Sequence, residues 1–399
     1  MSMPRDYVQL WGASTISALG DGLRIAAIPL LAASITRDPF AISIVSAAGF
    51  LPWPVFGLLG GAVSDRFERR QLMWMINASR AIIICAAATV LLTEGSLPIA
   101  LLALLAFLLG TAETVHDNAA IGILPQILTP DLLPAGNSRL FTSQLGATQL
   151  IGPPLGGLLF AFGSSIPLAL DALSFGISAT LIALLPRPAR SPEGRVLNLR
   201  RDIGEGIVWL WESATLRTMA ILTVALSTIS GALLAMLVVY AHNQLHTTSV
   251  GYGLLLGAFA VGSIAGATFT PRLMRGRPLR QILAGSVIAA IGVFAGLATT
   301  ATPAVAAGLL ALLGAAVSTW NVASVTTRQR IVPKYLIGRV SSAYRASALT
   351  FTTIGALTAG LLTGTTSITT TMWACAGVGL LGLLVGGRGL WRLDSAAMT

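Results

Sequence analysis

Long apolar runs separated by short polar stretches set the pattern of this chain. They fall at about 7–34, 40–63, 71–93, 98–122, 138–162 and 165–185, and again at about 217–241, 249–269, 280–300, 304–326, 341–364 and 368–386. An α-helix rises about 1.5 Å per residue and a bilayer's hydrocarbon core is about 30 Å thick, so roughly 20 apolar residues cross it. The pattern therefore predicts an all-α membrane protein with twelve transmembrane helices. The longest polar connection, 186–216, divides the chain into a bundle over 1–185 and a second over 217–399. Within that connection Ile203, Ile207, Leu210 and Trp211 share one helical face. They predict an amphipathic helix, either interfacial on the inner leaflet or capping the bundle as part of a solvated linker.

Composition sharpens this picture. Of 399 residues, 54% are hydrophobic and 10% charged, with mean hydropathy +0.80, whereas a soluble domain is about 25% charged. The net charge of +10 does not indicate nucleic-acid binding, because the basic residues sit in short clusters between apolar runs. With a cytoplasmic N-terminus, 22 of the 25 basic residues, Arg328 among them, fall inside, which fits both termini cytoplasmic under the positive-inside rule. Cys85 and Cys375 lie in apolar runs and suggest neither a disulfide framework nor a metal site. The first apolar run lacks a small-residue cleavage site, so no cleavable signal peptide is expected. No G-x-x-x-x-G-K-[ST] loop is present, which argues against an ATP-driven pump. No cofactor is expected.

The two halves resemble each other. A shift of 203 residues aligns Asn118 with Asn321, Gln126 with Gln329, Pro130 with Pro333, Gly152 with Gly355 and Gly157 with Gly360. Glycines spaced four apart, as in Gly253/Gly257 and Gly262/Gly266, predict close helix packing.

Between the second and third runs the chain reads GGAVSDRFERR. Gly61, Asp65, Arg66, Arg69 and Arg70 match the major facilitator signature G-x-x-x-D-R-x-G-R-R, with Glu68 where that family often has glycine. The corresponding loop of the second half, GATFTPRLMRGR, has Thr270 in place of the aspartate. In the fifth run GPPLGG (Gly152, Pro153, Gly156, Gly157) resembles the core of the antiporter motif, with Thr148 where a glycine is common upstream. Stretches such as LGDGLRIAAIPLLA and AETVHDNAAIGILPQI extend the resemblance to nearly the whole chain. They look like the drug:proton antiporter branch of the major facilitator superfamily that includes macrolide-efflux and enterobactin-exporter-like proteins. The resemblance implies two six-helix bundles related by pseudo-two-fold symmetry, a cytoplasmic loop motif that latches them, and export.

A charge at bilayer depth is expensive and marks function by default. The candidates are Asp21 and Arg24 in the first run, Arg80 in the third, Glu113, His116 and Asp117 in the fourth, and Asp171 in the sixth. The second half has no carboxylate in any run. Asp21 and Arg24, three residues apart, can neutralise each other. Counting residues puts Arg80 roughly 13 Å from the inner end of its helix, level with Asp117, and the two are expected to pair. Asp21 and Glu113 lead as proton carriers, because a partly dry cavity favours the neutral form of a carboxyl group and lets it cycle. Asp117 and Asp171 follow, Asp171 being placed near the outer end of its helix, where a terminus or loop contact is expected. His116 could join a relay or simply hydrogen-bond a neighbour. Ser227, Thr228, Ser230, Met236, Tyr240, Trp320 and Asn321 of the second half suit an adaptable apolar cavity.

The function these expectations favour is exchange of protons for an amphipathic small molecule, by a monomer in contact with membrane lipids and with no nucleic acid partner. A proton-coupled importer of the same fold and a non-transporting membrane sensor or scaffold remain as alternatives.

Overall fold

The computed structural model describes residues 3–56, 67–121, 123–186, 209, 211–333 and 336–390. Among these, twelve helices are long and apolar enough to cross a membrane. We number them α1 Arg5–Ile35, α2 Pro39–Phe56, α3 Arg69–Glu94, α4 Ile99–Ile127, α5 Leu133–Phe162, α6 Ile166–Ala183, α7 Ala214–Asn243, α8 Ser249–Gly276, α9 Leu279–Thr299, α10 Pro303–Ile331, α11 Val340–Thr365 and α12 Ile368–Gly387. The predicted twelve-helix fold is observed. Most of the predicted amphipathic segment, and Gly61, Asp65 and Arg66 of the loop motif, lie outside the described residues.

Local chemistry sets several helix ends. Gly95 ends α3 in the left-handed region at φ 72, where a glycine has no Cβ to clash. Ser213 accepts a hydrogen bond from the Leu216 N–H at the start of α7, satisfying one of the donors a helix leaves free there. Proline sits in the first turn of α6 and α10, where its missing N–H costs nothing. The described linker-proximal residue Trp211 is exposed.

The chain forms two compact units. Unit 1 comprises Met1–Arg37, Ala48–Leu197 and Thr248–Gly257; unit 2 comprises Asp38–Ala47, Asn198–Thr247 and Ala258–Thr399. In unit 1, α6 packs along both α1 and α3, α1 along α5, and α3 along α4. In unit 2, α12 packs along both α7 and α9, α7 along α11, and α9 along α10. Pair for pair the second set repeats the first, so the internal repeat of the sequence is also a repeat of packing. One core cluster of unit 1 joins Tyr7, Leu10, Met73, Ile123, Leu124 and Ile182, and Tyr7 Oη donates to the Gly136 carbonyl at 2.8 Å. In unit 2, Gly262 and Gly266 of α8 lie against the backbone of Ala311 and Ala315 of α10, the close approach that their spacing predicts. Large apolar side chains stay exposed on the outside, among them Ile82, Leu92, Phe162 and Leu384. A water-soluble protein rarely leaves this much apolar surface open, whereas lipid covers it without penalty.

Candidate ion-pair cluster in unit 1

The buried charges of unit 1 converge because α1 lies between α5 and α6 while α6 also packs on α3. Gly20 and Gly22 make this approach possible. A Cβ on Gly20 would collide with Ser174 and Asp171 of α6, and one on Gly22 would sit 2.8 Å from the Gly152 Cα of α5. Asp21 lies between these two glycines.

Arg24 is the hub. Its Nη2 donates to Asp21 Oδ1 and lies 3.7 Å from Glu113 Oε2, while its Nε lies 3.3 Å from Asp171 Oδ2. Arg80 from α3 joins the same group: its Nη2 donates to Asp21 Oδ1 at 2.9 Å and lies 3.8 Å from Glu113 Oε2. The Arg80 guanidinium also stacks over the Phe175 ring at 4.0 Å. Three carboxylates thus face two guanidiniums. Access to them differs sharply. The Asp171 side chain is 0% exposed, Asp21 21% and Glu113 38%. Neither carboxylate oxygen of Asp171 accepts a hydrogen bond among the described residues.

Two sequence expectations need correction. Arg80 pairs with Asp21 and Glu113, not with Asp117, because α3 turns that residue toward α1. Asp117 instead lies 3.7 Å from His116 with its side chain 49% exposed. Asp171 is no terminus or loop contact: the second turn of α6 stands level with the Asp21 turn of α1, which buries it against Arg24. The pairing of Asp21 with Arg24 is as expected.

The antiporter-type motif packs onto the same helix. Gly152 lies against Gly22, Gly156 against the Leu23 backbone, and Gly157 against the Ser249 carbonyl at the start of α8. Pro153 and Pro154 have no N–H to donate to the carbonyls of Gln149 and Leu150. The preceding turns, Gly146–Ile151, widen to π-helical geometry. Thr148, where a glycine is common, donates to the Ala18 carbonyl at 3.0 Å and so ties α5 to α1. Of the loop motif between α2 and α3, Arg70 donates to the Ala183 carbonyl and lies 3.6 Å from Glu68. Glu68 adopts φ −61 and ψ 118, a conformation open to any residue, so glycine is not required there.

The unit 2 candidates scatter. Met236 and Trp320 are buried, Tyr240 Oη donates to the carbonyls of Leu297 and Thr300, and Asn321 is exposed. Sequence inspection missed Tyr344. Its hydroxyl bonds Thr223 and, at 2.9 Å, Ser324; its place in a serine- and arginine-rich helix start gave no signal of burial.

Twelve membrane-length helices in two units with the same helix packing are the architecture of a multi-pass membrane protein of the major facilitator type. Residues 5–396 match the family described as transmembrane secretion effector, and the chain belongs to that family. Among its relatives, the enterobactin exporter EntS of Citrobacter koseri is 26% identical over 94% of this chain and 89% of its own length. The multidrug efflux pump Tap of Mycobacterium tuberculosis (strain ATCC 25618 / H37Rv) is 26% identical over 64% of this chain, which spans 62% of that protein. Macrolide efflux protein A of Streptococcus pyogenes is 25% identical over 51% of each chain. In fold, the structure of the nucleoside transporter NupG (D323A mutant) superposes with TM-score 0.81 at 13% identity, over 96% of this chain and 100% of that one. A bacterial ferroportin homologue in the inward-facing state gives 0.75 at 18%, over 98% of this chain and all of its own.

Proposed function

We propose that this protein is a secondary exporter that exchanges protons for an amphipathic small molecule across the bacterial cytoplasmic membrane by alternating access. Both termini are cytoplasmic in this account, the protein works as a monomer, and the bundles of 1–185 and 217–399 are joined by the 186–216 linker. The outward direction rests on the relatives named as efflux pumps or exporters and on the GPPLGG segment of α5.

Proton coupling rests on one observation, the charge count of the ion cluster. With every group ionised, Asp21, Glu113 and Asp171 exceed Arg24 and Arg80 by one negative charge. Arginine stays protonated, so one proton on the carboxylates closes the balance. In a dry environment an unbalanced charge is costly. Proton binding and release therefore switch the cluster between a balanced state and one that needs water or a cationic group nearby. Glu113, the most open carboxylate, is the entry point, and fully buried Asp171 is the occluded end of the group.

The test is transport in proteoliposomes with an imposed pH gradient and a fluorescent amphiphile. Asp21→Asn and Glu113→Gln should each abolish accumulation against the substrate gradient, by roughly 10-fold or more, while downhill exchange persists. Uphill accumulation in both single variants and in the double variant would overturn proton coupling through these groups.

A further inference from the structure

Unit 2 holds a buried cation that no carboxylate balances among the described residues. No aspartate or glutamate occurs between Glu212 and Asp394. Yet Arg328, in the last turn of α10, is 8% exposed and in no ion pair among the described residues. Its guanidinium carbon lies 3.8 Å from the centre of the Tyr344 ring, and its Nη1 donates to Ser324 Oγ at 3.1 Å. Its Nε donates to nothing among the described residues. Neutral groups hold the surroundings in place. Tyr344 Oη bonds Thr223 and Ser324, and the Trp320 indole N–H donates to Thr223 Oγ at 3.1 Å.

We propose that Arg328, with Ser324 beside it, is a binding site for an oxyanion: the phosphate or carboxylate head of an amphipathic molecule. A guanidinium cannot discharge itself by losing its proton. A tyrosine face and one hydroxyl offset only part of the cost of burying it. The planar fork still has donor capacity, and a carboxylate or phosphate is its matched acceptor. Every piece of the site belongs to unit 2, so the proposal stands apart from the proton chemistry assigned to unit 1. The anion can come from a dissolved amphiphile or from a lipid headgroup, because both present the same oxygens. A cation merely parked on a tyrosine ring would leave the same static arrangement, but added anions would not affect it.

The experiment uses the full chain in phosphatidylcholine nanodiscs, titrated with octyl phosphate, octanoate and, as a control, octyltrimethylammonium. Binding is read from tryptophan fluorescence and from the unfolding temperature. Wild type should bind both anions at least about tenfold more tightly than the ammonium compound, and Arg328→Gln should lose that preference. Arg328→Lys should fall between them, because it keeps the charge and loses the fork. Ser324→Ala should weaken anion binding several-fold, so these two variants carry the test if Arg328→Gln does not fold. Adding phosphatidylglycerol separates the sources. Competition with octyl phosphate, and lipid retained on wild type but not on Arg328→Lys in native mass spectra, assigns the site to lipid. Unchanged anion affinity assigns it to a solute. Equal affinity for anions and cation, or anion binding indifferent to Arg328→Lys and Ser324→Ala, would overturn the proposal. No gradient is involved, so failure here leaves the exporter account untouched.

Discussion

The two units are built on one packing plan and filled with different chemistry. Unit 1 places three carboxylates and two guanidiniums in one group where α1, α3, α4 and α6 meet. Unit 2 places a guanidinium among a tyrosine, a tryptophan and hydroxyls, with no acid in its sequence from residue 213 to residue 393. The difference separates what the fold demands from what the function demands. Helix pairing needs small residues at contacts, and both units have them. A cluster of buried ion pairs is not needed for that pairing, since unit 2 repeats it without one among the described residues. The cluster of unit 1 is therefore not a requirement of this packing plan.

The largest expected effect comes from unbalancing that cluster. Arg80→Met leaves three carboxylates facing Arg24 alone and should cost about 3–5 kcal/mol, the scale for stranding a buried charge. Arg328→Met strands no carboxylate and should cost only about 1–2 kcal/mol. Unfolding temperatures in one detergent compare the two, and equal losses would erase the distinction between the units. Adding Asp21→Asn to Arg80→Met should restore part of the loss.

Next comes the α1–α5 contact. Gly22→Ala pushes a Cβ to within 2.8 Å of two backbone carbonyls, those of Ala147 and Thr148, neither of which can rotate away. A destabilisation of about 1–3 kcal/mol is expected. Gly12→Ala on the same helix meets nothing within 4 Å and should be neutral or slightly stabilising. Matching unfolding curves for the two variants would show that the contact is not tight.

The smallest effect should follow Tyr344→Phe in unit 2. It removes a hydroxyl shared by Thr223 and Ser324 and should cost about 1 kcal/mol in thermal unfolding. A loss as large as that of Arg80→Met would mean that the neutral network carries as much as the ion cluster.

Much of this was legible in the chain itself, and the failures have a common cause. Twelve runs of apolar residues specify twelve helices because only length and polarity matter for crossing a bilayer. The acids of the ion cluster were visible because charge at such depth is rare. What the sequence could not supply was rotation about each helix axis. A helix apolar on all sides carries no stripe that marks its inward face. Depth counting thus set Arg80 level with Asp117 and assigned it there, whereas it reaches Asp21 and Glu113. Asp171 was misjudged because its distance from the start of α6 gave no hint that this turn lies against Arg24. Arg328 was counted among the cytoplasmic arginines, since a basic residue at a helix end signals topology whether it points outward or into the bundle.

The central claim is that the carboxylates of unit 1 hold an exchangeable proton. Infrared difference spectroscopy of the reconstituted wild-type protein, recorded across a pH series, observes that proton directly. The account predicts a protonated-carboxyl C=O band that titrates, and that is lost or shifted in Glu113→Gln or Asp171→Asn while Asp38→Asn and Asp131→Asn leave it in place. A wild-type spectrum without such a band, or a band indifferent to substitution of Asp21, Glu113 and Asp171, would contradict it.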